Sequence, residues 1–415
     1  MAALLPVPSR AAALQRLAQF LPQAGRAYAS GRNIDPGPGL RENVSGLSPW
    51  IRHRLLTEEQ VLRAVLAQHT ATAAARFIEE VCWRSYFKGH LETHPSIWSD
   101  YRRMVVGSFS HLPRCEAALE GRTGIDCFDA WVAEMKTTGT LHNHARMCFA
   151  SIWIFTLELP WQLGADFTLR HFIDGDPASN TLSWRWVAGL HTPGKQYLAK
   201  AGAIERCSNG RFSPQGLVET AAPVQEVALH PVVALPPLPT AATPGAVPPG
   251  RIALLLTEED LHPESLGLEA VPLRGIAGAA AVAARSPLPV SPRVGEFVAG
   301  ALDDALARAA AHFDAPAERL SALDGDAIAE WAERIGADVV ITAAAPLGPV
   351  EELLRDATDW LVMRGLRLVQ LRREWDGVLW PRSTRGYFDL RSHIPAVIKE
   401  LGLERDRPAQ TQLPF

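Results

Sequence analysis

The stretch FIDGDPASNTLSWRWVAGL, residues 172–190, crowds two aspartates, an asparagine and two tryptophans between apolar helical patterns. It reads either as a core helix with awkward polar guests or as the wall of a cofactor pocket. A buried carboxylate needs a cationic or hydrogen-bonding partner, so the partners of Asp174 and Asp176 decide between the two. The text around the stretch is helical. Ser9 caps a start whose Leu14, Leu17, Ala18 and Leu21 share one face. Thr57 with Gln60 spells a capping box, TGIDCFDAWVAEMKTTG (123–139) stops on a glycine, and LHNHARMCFASIWIFTLEL (141–159) has helical length.

The grammar changes further on. From Pro214 to Gly250 repeated prolines remove amide donors and block regular helix, as in a linker or strap. As a coil, 216–250 spans about 30 Å. Beyond it, the apolar runs RIALLLT (251–257), ADVVITA (337–343) and LRLVQL (366–371) alternate with helical patterns around 294–313, 325–335 and 347–364. That alternation predicts a parallel sheet. The expected fold is therefore multidomain α and α/β. An all-helical domain spans 1–215 and a Pro/Ala-rich linker 216–250; an α/β parallel-sheet (Rossmann-like) domain spans 251–405, and 406–415 form a tail.

With 415 residues, 47% apolar and 21% charged, the chain can bury a sizeable core. Its net charge of −4 hides an asymmetry: 1–215 hold 23 Lys and Arg against 18 Asp and Glu, whereas the remainder is acidic. A basic helical half permits nucleic-acid binding without requiring it. No apolar run approaches the roughly 18 residues of a membrane span. Cys82, Cys115, Cys127, Cys148 and Cys207 form no CxxC pair, which suits reduced thiols in the cytoplasm rather than a disulfide frame or a metal site.

TGTLHNHARMCFAS (138–151), followed by LPWQLGADFTLRHFIDGDPASNTLSWRWVAG (159–189), resembles the flavin-binding core of the DNA photolyase and cryptochrome family. YASGRN (28–33), NVSGLSPWI (43–51), FIEEVCWRSYF (77–87) and EGRTGIDCFDA (120–130) fall in the family's order, so the resemblance covers roughly residues 9–190. It implies FAD as cofactor and a photolyase-type FAD-binding domain. The family carries its α/β antenna domain first; here the α/β text comes last, which implies a circular permutation or a fused unrelated domain.

The resemblance assigns roles residue by residue. Tyr28, Val44, Ser45, Gly46, Leu47, Ser48 and Arg84 match flavin-contact positions, with Ser45, Ser48 and the amides of 44–47 at the pyrophosphate. Arg146 and Asp174 match an ion pair against the flavin, Asp176 the acid at its pyrimidine edge, and Asn180 the amide at N5. Trp184 and Trp161 match the inner and middle tryptophans that feed electrons to excited flavin. The outer position, near Ser108 and Phe109, has no tryptophan, leaving Trp98 or Tyr101 as exits. Glu80, Trp83, Asn143, Met147 and Trp186 match the pocket for a flipped cyclobutane pyrimidine dimer.

Departures pull the other way. His144 stands where an arginine is usual, and HTPGKQYLAKAGAIERCSNGRF (191–212) replaces the usual continuation with Lys195, Lys200, Arg206 and Arg211. The expected activity is light-driven repair of pyrimidine dimers in damaged DNA. The alternatives are a cryptochrome-like blue-light receptor acting on a signalling protein, and a flavoprotein of dark redox chemistry. No metal is implied, and a second, antenna chromophore stays unassigned because the α/β half shows no GxGxxG or Walker sequence.

Overall fold

The computed structural model describes residues 5–403 except 193, 227 and 241; the expected tail at 406–415 lies outside the described residues. Helices run from Arg10 to Cys207 and strands begin at Ile252, so the architecture is α followed by α/β. Ser9 caps helix Arg10–Phe20 by accepting the Ala12 amide at 3.2 Å. This helix buries Ala13, Leu17 and Phe20 rather than the expected face, and Leu14 is exposed. The larger Phe20 ring sets the rotation, packing between Tyr28 and Phe77 at 5.8 and 5.1 Å.

The Thr57–Gln60 capping box forms as read and starts helix Glu58–Gln68. Helix Ala71–Thr93 is the long spine of this half. Helix Asp126–Thr138 stops at Gly139, whose φ of +67° suits glycine and whose added Cβ would lie 2.6 Å from Ile173. Asn143–Ser151 runs into a π-helical turn, Ile152–Thr156, and two further helices, Trp161–His171 and Pro177–Ala188, flank the IDGD turn. Among the described residues no helix is long and apolar enough to cross a membrane.

The second half is a parallel sheet of β1 (Ile252–Thr257), β2 (Leu273–Ala279), β3 (Ala317–Arg319), β4 (Val339–Ala343) and β5 (Arg367–Leu371), in the order β3-β2-β1-β4-β5. Helices Pro292–Phe313, Gly325–Arg334 and Pro349–Met363 connect the strands. β1, β4 and β5 are the three apolar runs of the sequence. β2, LRGIAGA, is built from small residues because helix Pro292–Phe313 lies close: a Cβ on Gly278 would sit 2.9 Å from Leu302. β3 is three exposed residues, too short for any pattern.

One apolar core runs through both halves, joining Phe20, Leu56, Phe77 and Tyr86 to Leu256, Leu261, Trp375 and Leu390. A buried ionic seam accompanies it. Arg52 clasps Glu259 with two bonds of 2.6 Å, Arg54 reaches Asp376 at 2.6 Å and Asp260 at 3.4 Å, and the His53 ring meets the Glu258 carbonyl at 2.7 Å. Arg54 holds the left-handed φ of +49°, a conformation kept here by the three carboxylates around its guanidinium, with Glu58 the third at 3.4 Å. In a sheet of this order ligands bind beyond the carboxyl ends of the strands where the order reverses, between β1 and β4. Here that crevice is filled: Glu258 to Asp260 lead from β1 into the seam, and Gly348 after β4 packs on Pro177.

The proline-rich segment is a strap rather than a free spacer. Val224 donates to the Ala188 carbonyl, Val233 to that of Thr93, and Glu226 accepts from both terminal nitrogens of Arg185 at 2.7 and 2.5 Å. At its far end the Pro239 carbonyl accepts from the Arg372 amide.

Candidate functional site

The two aspartates of the IDGD turn find their partners on opposite sides. Arg146, from helix Asn143–Ser151, donates to both Asp174 oxygens at 3.0 and 2.9 Å, while its guanidinium lies 3.9 Å from the Phe172 ring centre. Arg84, from helix Ala71–Thr93, reaches Asp176 at 3.2 Å. Asp176 also caps helix Pro177–Ala188 by accepting the Ser179 amide at 2.9 Å. Behind it, Lys88 at 3.4 Å and Arg52 at 3.8 Å complete a cationic shell. Burial alone would push the Asp176 carboxyl up; Lys88, Arg84 and Arg52 outweigh it and hold the group far below the usual carboxylate range.

These contacts place helices Ala71–Thr93 and Asn143–Ser151 beside helix Pro177–Ala188, and each carries one partly exposed stripe. On the first the stripe is Glu80, Trp83, Arg84 and Phe87, on the second Asn143, Arg146 and Met147, and on the third Ser179, Ser183 and Trp186. The Ser179 hydroxyl is buried without a hydrogen-bond partner, as a wall built for a polar ligand would leave it.

The remaining matched residues are distributed as follows. Tyr28 packs edge-on against Phe77 at 5.2 Å. The 44–48 loop is pinned by Arg16, which donates to the Val44 and Ser45 carbonyls at 2.8 and 2.7 Å; Leu47 is buried, while Gly46 and Ser48 face solvent. Glu80 pairs with Arg32 at 2.7 Å, and burial pushes its carboxyl up against the pull of Arg32. One face of Trp83 is taken by Tyr387, stacked at 3.5 Å and 11° from helix Tyr387–Glu400. Trp186 stacks on Tyr197 at 5.6 Å.

Asn180 is tied at both ends: its carbonyl accepts from Thr168 Oγ1 at 2.8 Å and its amide donates to the Ala165 carbonyl at 2.8 Å, leaving one N–H and one lone pair. Thr168 Oγ1 also accepts the Trp184 indole N–H at 3.0 Å, so one hydroxyl links the asparagine to the tryptophan. Trp184 lies flush on Gly164, where a Cβ would come within 2.4 Å of its ring. Trp161 opens the same helix as Gly164 and stacks on Tyr101 at 5.9 Å.

Sequence reading missed Arg52, Lys88, Glu259, Thr168 and Tyr387. A signal existed for the first and third: RHR (52–54) and EED (258–260) are opposite charge runs, one in each half, which read singly as solvated faces. Of the basic residues in 191–212, Arg211 is committed to Asp35 at 3.0 Å.

With this geometry in place, residues 77–213 match the FAD binding domain of DNA photolyase. The deoxyribodipyrimidine photo-lyase of Escherichia coli is 30% identical over 204 residues, 46% of this chain and 41% of that protein. That of Thermus thermophilus is 34% identical over 219 residues, 51% of this chain and 50% of its own. A bacterial class III photolyase structure from Agrobacterium tumefaciens aligns at 27% identity with a TM-score of 0.42, over 48% of this chain and 43% of its own. The chain thus spans half or less of the length of these relatives.

Proposed function

We propose, starting from the helical half's membership of the DNA photolyase and cryptochrome family, that this chain is a light-driven photolyase that splits cyclobutane pyrimidine dimers in DNA. The observation that carries the reading is the pair of arginines that reach Asp174 and Asp176 from two helices, with Trp83 next to Arg84 and Trp186 on the helix that Asp176 caps. FAD would lie against these residues. Arg146, Asp174, Asp176 and Asn180 would hold its ring, and Ser45, Gly46, Leu47 and Ser48 its pyrophosphate. Tyr28, Val44 and Arg84 would border the rest. Bound, reduced and excited by blue light, the flavin supplies one electron.

The chain's own residues would receive the dimer. The free face of Trp83 and the ring of Trp186 offer stacking worth about 1–3 kcal/mol per extruded base. Glu80, its carboxyl pushed up by burial, would share a proton with a base edge, and Asn143 and Met147 would close the pocket. The five unpaired cysteines suit the reducing cytoplasm, where DNA would be the partner.

One observation favours a second reading. Tyr387 already stacks on Trp83, so a base can stack on that face only if helix Tyr387–Glu400 shifts. A receptor that signals to a protein partner needs no such shift. The test is dimer loss from an irradiated oligonucleotide, with the FAD-loaded, reduced chain, in light and in dark. Loss in light alone supports repair. Glu80→Ala should then lower the yield per absorbed photon while FAD stays bound, and Trp83→Ala should weaken binding of damaged DNA. If the illuminated wild type neither binds nor clears dimers, the receptor reading replaces repair; if no FAD is bound, both fall.

A further inference from the structure

We propose that the electron hole left when Trp184 and Trp161 feed the flavin comes to rest on Trp98, whose indole proton passes to Glu352 of the α/β half; this rests on the flavin reading above. Trp184 and Trp161 meet one helix, Trp161–His171, with Trp184 packed on Gly164 about one turn, ~4.5 Å of rise, from Trp161. From Trp161 the aromatic path continues without a gap. Tyr101 stacks on Trp161 at 5.9 Å and 30°, and Trp98 lies against Tyr101 at 5.5 Å, both on helix Ser96–Gly107. At the position near Ser108, by contrast, the Ser108 hydroxyl is engaged by Gln162 at 2.6 Å and no indole is present.

The two candidates for a resting place differ in their surroundings. A tyrosine keeps a hole only by losing its phenolic proton, and the Tyr101 hydroxyl is buried with no hydrogen-bond partner to take it. Burial raises that phenol well above its ordinary range. Tyr101 is therefore a stacked bridge. Trp98 has the opposite arrangement: its indole N–H donates to Glu352 Oε1 at 2.8 Å, and Arg102 holds the second carboxylate oxygen at 2.9 Å. The carboxylate stabilises a positive indole next to it and accepts its proton. About a third of the Glu352 side chain is open to water, so that proton can leave to solvent.

The step balances. Trp98 loses one electron toward Trp161 and the excited flavin, its N–H bond breaks heterolytically, the proton forms an O–H on Glu352, and a neutral indole radical remains. A thiol reductant in bulk solvent returns an electron and a proton. Because Glu352 opens helix Pro349–Met363, the α/β half supplies the acceptor.

The test uses the full FAD-loaded chain with oxidised flavin under a blue flash, following tryptophan radicals by transient absorption and electron paramagnetic resonance. The wild type should give a long-lived neutral indole radical. Trp98→Phe should shorten its life and slow steady photoreduction by about tenfold, equivalent to ~1.4 kcal/mol. Tyr101→Phe, which keeps the bridging ring, should still give the neutral indole radical. Glu352→Gln should still oxidise Trp98 but hold it as the cation, a spectral signature that mere loss of packing would not produce. An unaltered radical in Trp98→Phe, or a tyrosyl signal in the wild type, overturns the proposal while the flavin reading stands. Unaltered photoreduction in Trp184→Phe and Trp161→Phe overturns the tryptophan route altogether.

Discussion

Replacing Glu259 by leucine removes one carboxylate from the seam between the halves without emptying its volume. In the intact chain the Arg52 side chain is 1% exposed and spends two 2.6 Å bonds on Glu259, with Lys88 3.9 Å away. Without Glu259, Arg52 and Lys88 retain Asp176, at 3.8 and 3.4 Å, and Arg84 competes for the same oxygen at 3.2 Å. Losing one partner of a buried pair costs about 3–5 kcal/mol, against about 0–1 kcal/mol for an exposed pair. With an unfolding entropy near ~2.1 cal/mol/K per residue, a cooperative chain of this length should lose about 3–6 °C in Tm. Thermal and urea unfolding followed by tryptophan fluorescence, on Glu259→Leu, Arg52→Met and the double variant, measure the Tm loss and the free-energy cost. The double variant should recover much of the loss, because neither charge of the clasp is then left without its counterion. A Glu259→Leu cost below about 1 kcal/mol, or a double variant no better than the sum of the singles, would refute a buried clasp.

Residues 1–215 expressed alone should fail to give a cooperative unfolding transition, since Phe20, Leu56, Phe77 and Tyr86 share their core with the other half; a sharp transition would show an independent domain. Gly164→Ala should cost about 1–3 kcal/mol by overpacking against Trp184 and Trp153, read as a lowered urea midpoint, and no change would mean that helix Trp161–His171 stands off from Trp184. Stability should fall as pH drops from about 6.5 toward 4. Burial lowers His90 to about 3 and His142, His171, His191 and His262 to about 4, so they stay neutral when folded while the unfolded chain takes up protons. Their stabilisation is complete above the unfolded value near ~6.5, and each contributes a slope of up to about 1.4 kcal/mol per pH unit below it. The depressed Asp176 and Glu259 add a loss only in the carboxylate range. A urea midpoint flat between pH 7 and 5.5 would contradict the burial of these imidazoles.

The sequence by itself determined the local grammar and the resemblance of the helical half to the photolyase FAD-binding domain. The Thr57–Gln60 capping box, the Gly139 stop and the Ser9 cap act within one turn of chain, so their residues are adjacent in the text and legible there. The strands β1, β4 and β5 announced themselves as apolar runs because each is buried over most of its length or closes a core edge; β2 and β3 did not, being glycine-rich or three residues long. The aspartates of IDGD pointed to basic partners, and Arg146 was legible through the ordered family blocks. The tertiary structure alone decided which charges meet across the chain: Arg52 with Glu259, 207 positions apart, and Trp98 with Glu352, 254 apart. It alone laid Tyr387 on Trp83 and placed the Thr168 hydroxyl between Asn180 and Trp184. Local pattern records what a residue needs, such as a counterion, a flat neighbour or a proton acceptor. Which distant residue supplies it depends on how two halves close over one core, and that packing leaves no periodicity in the text.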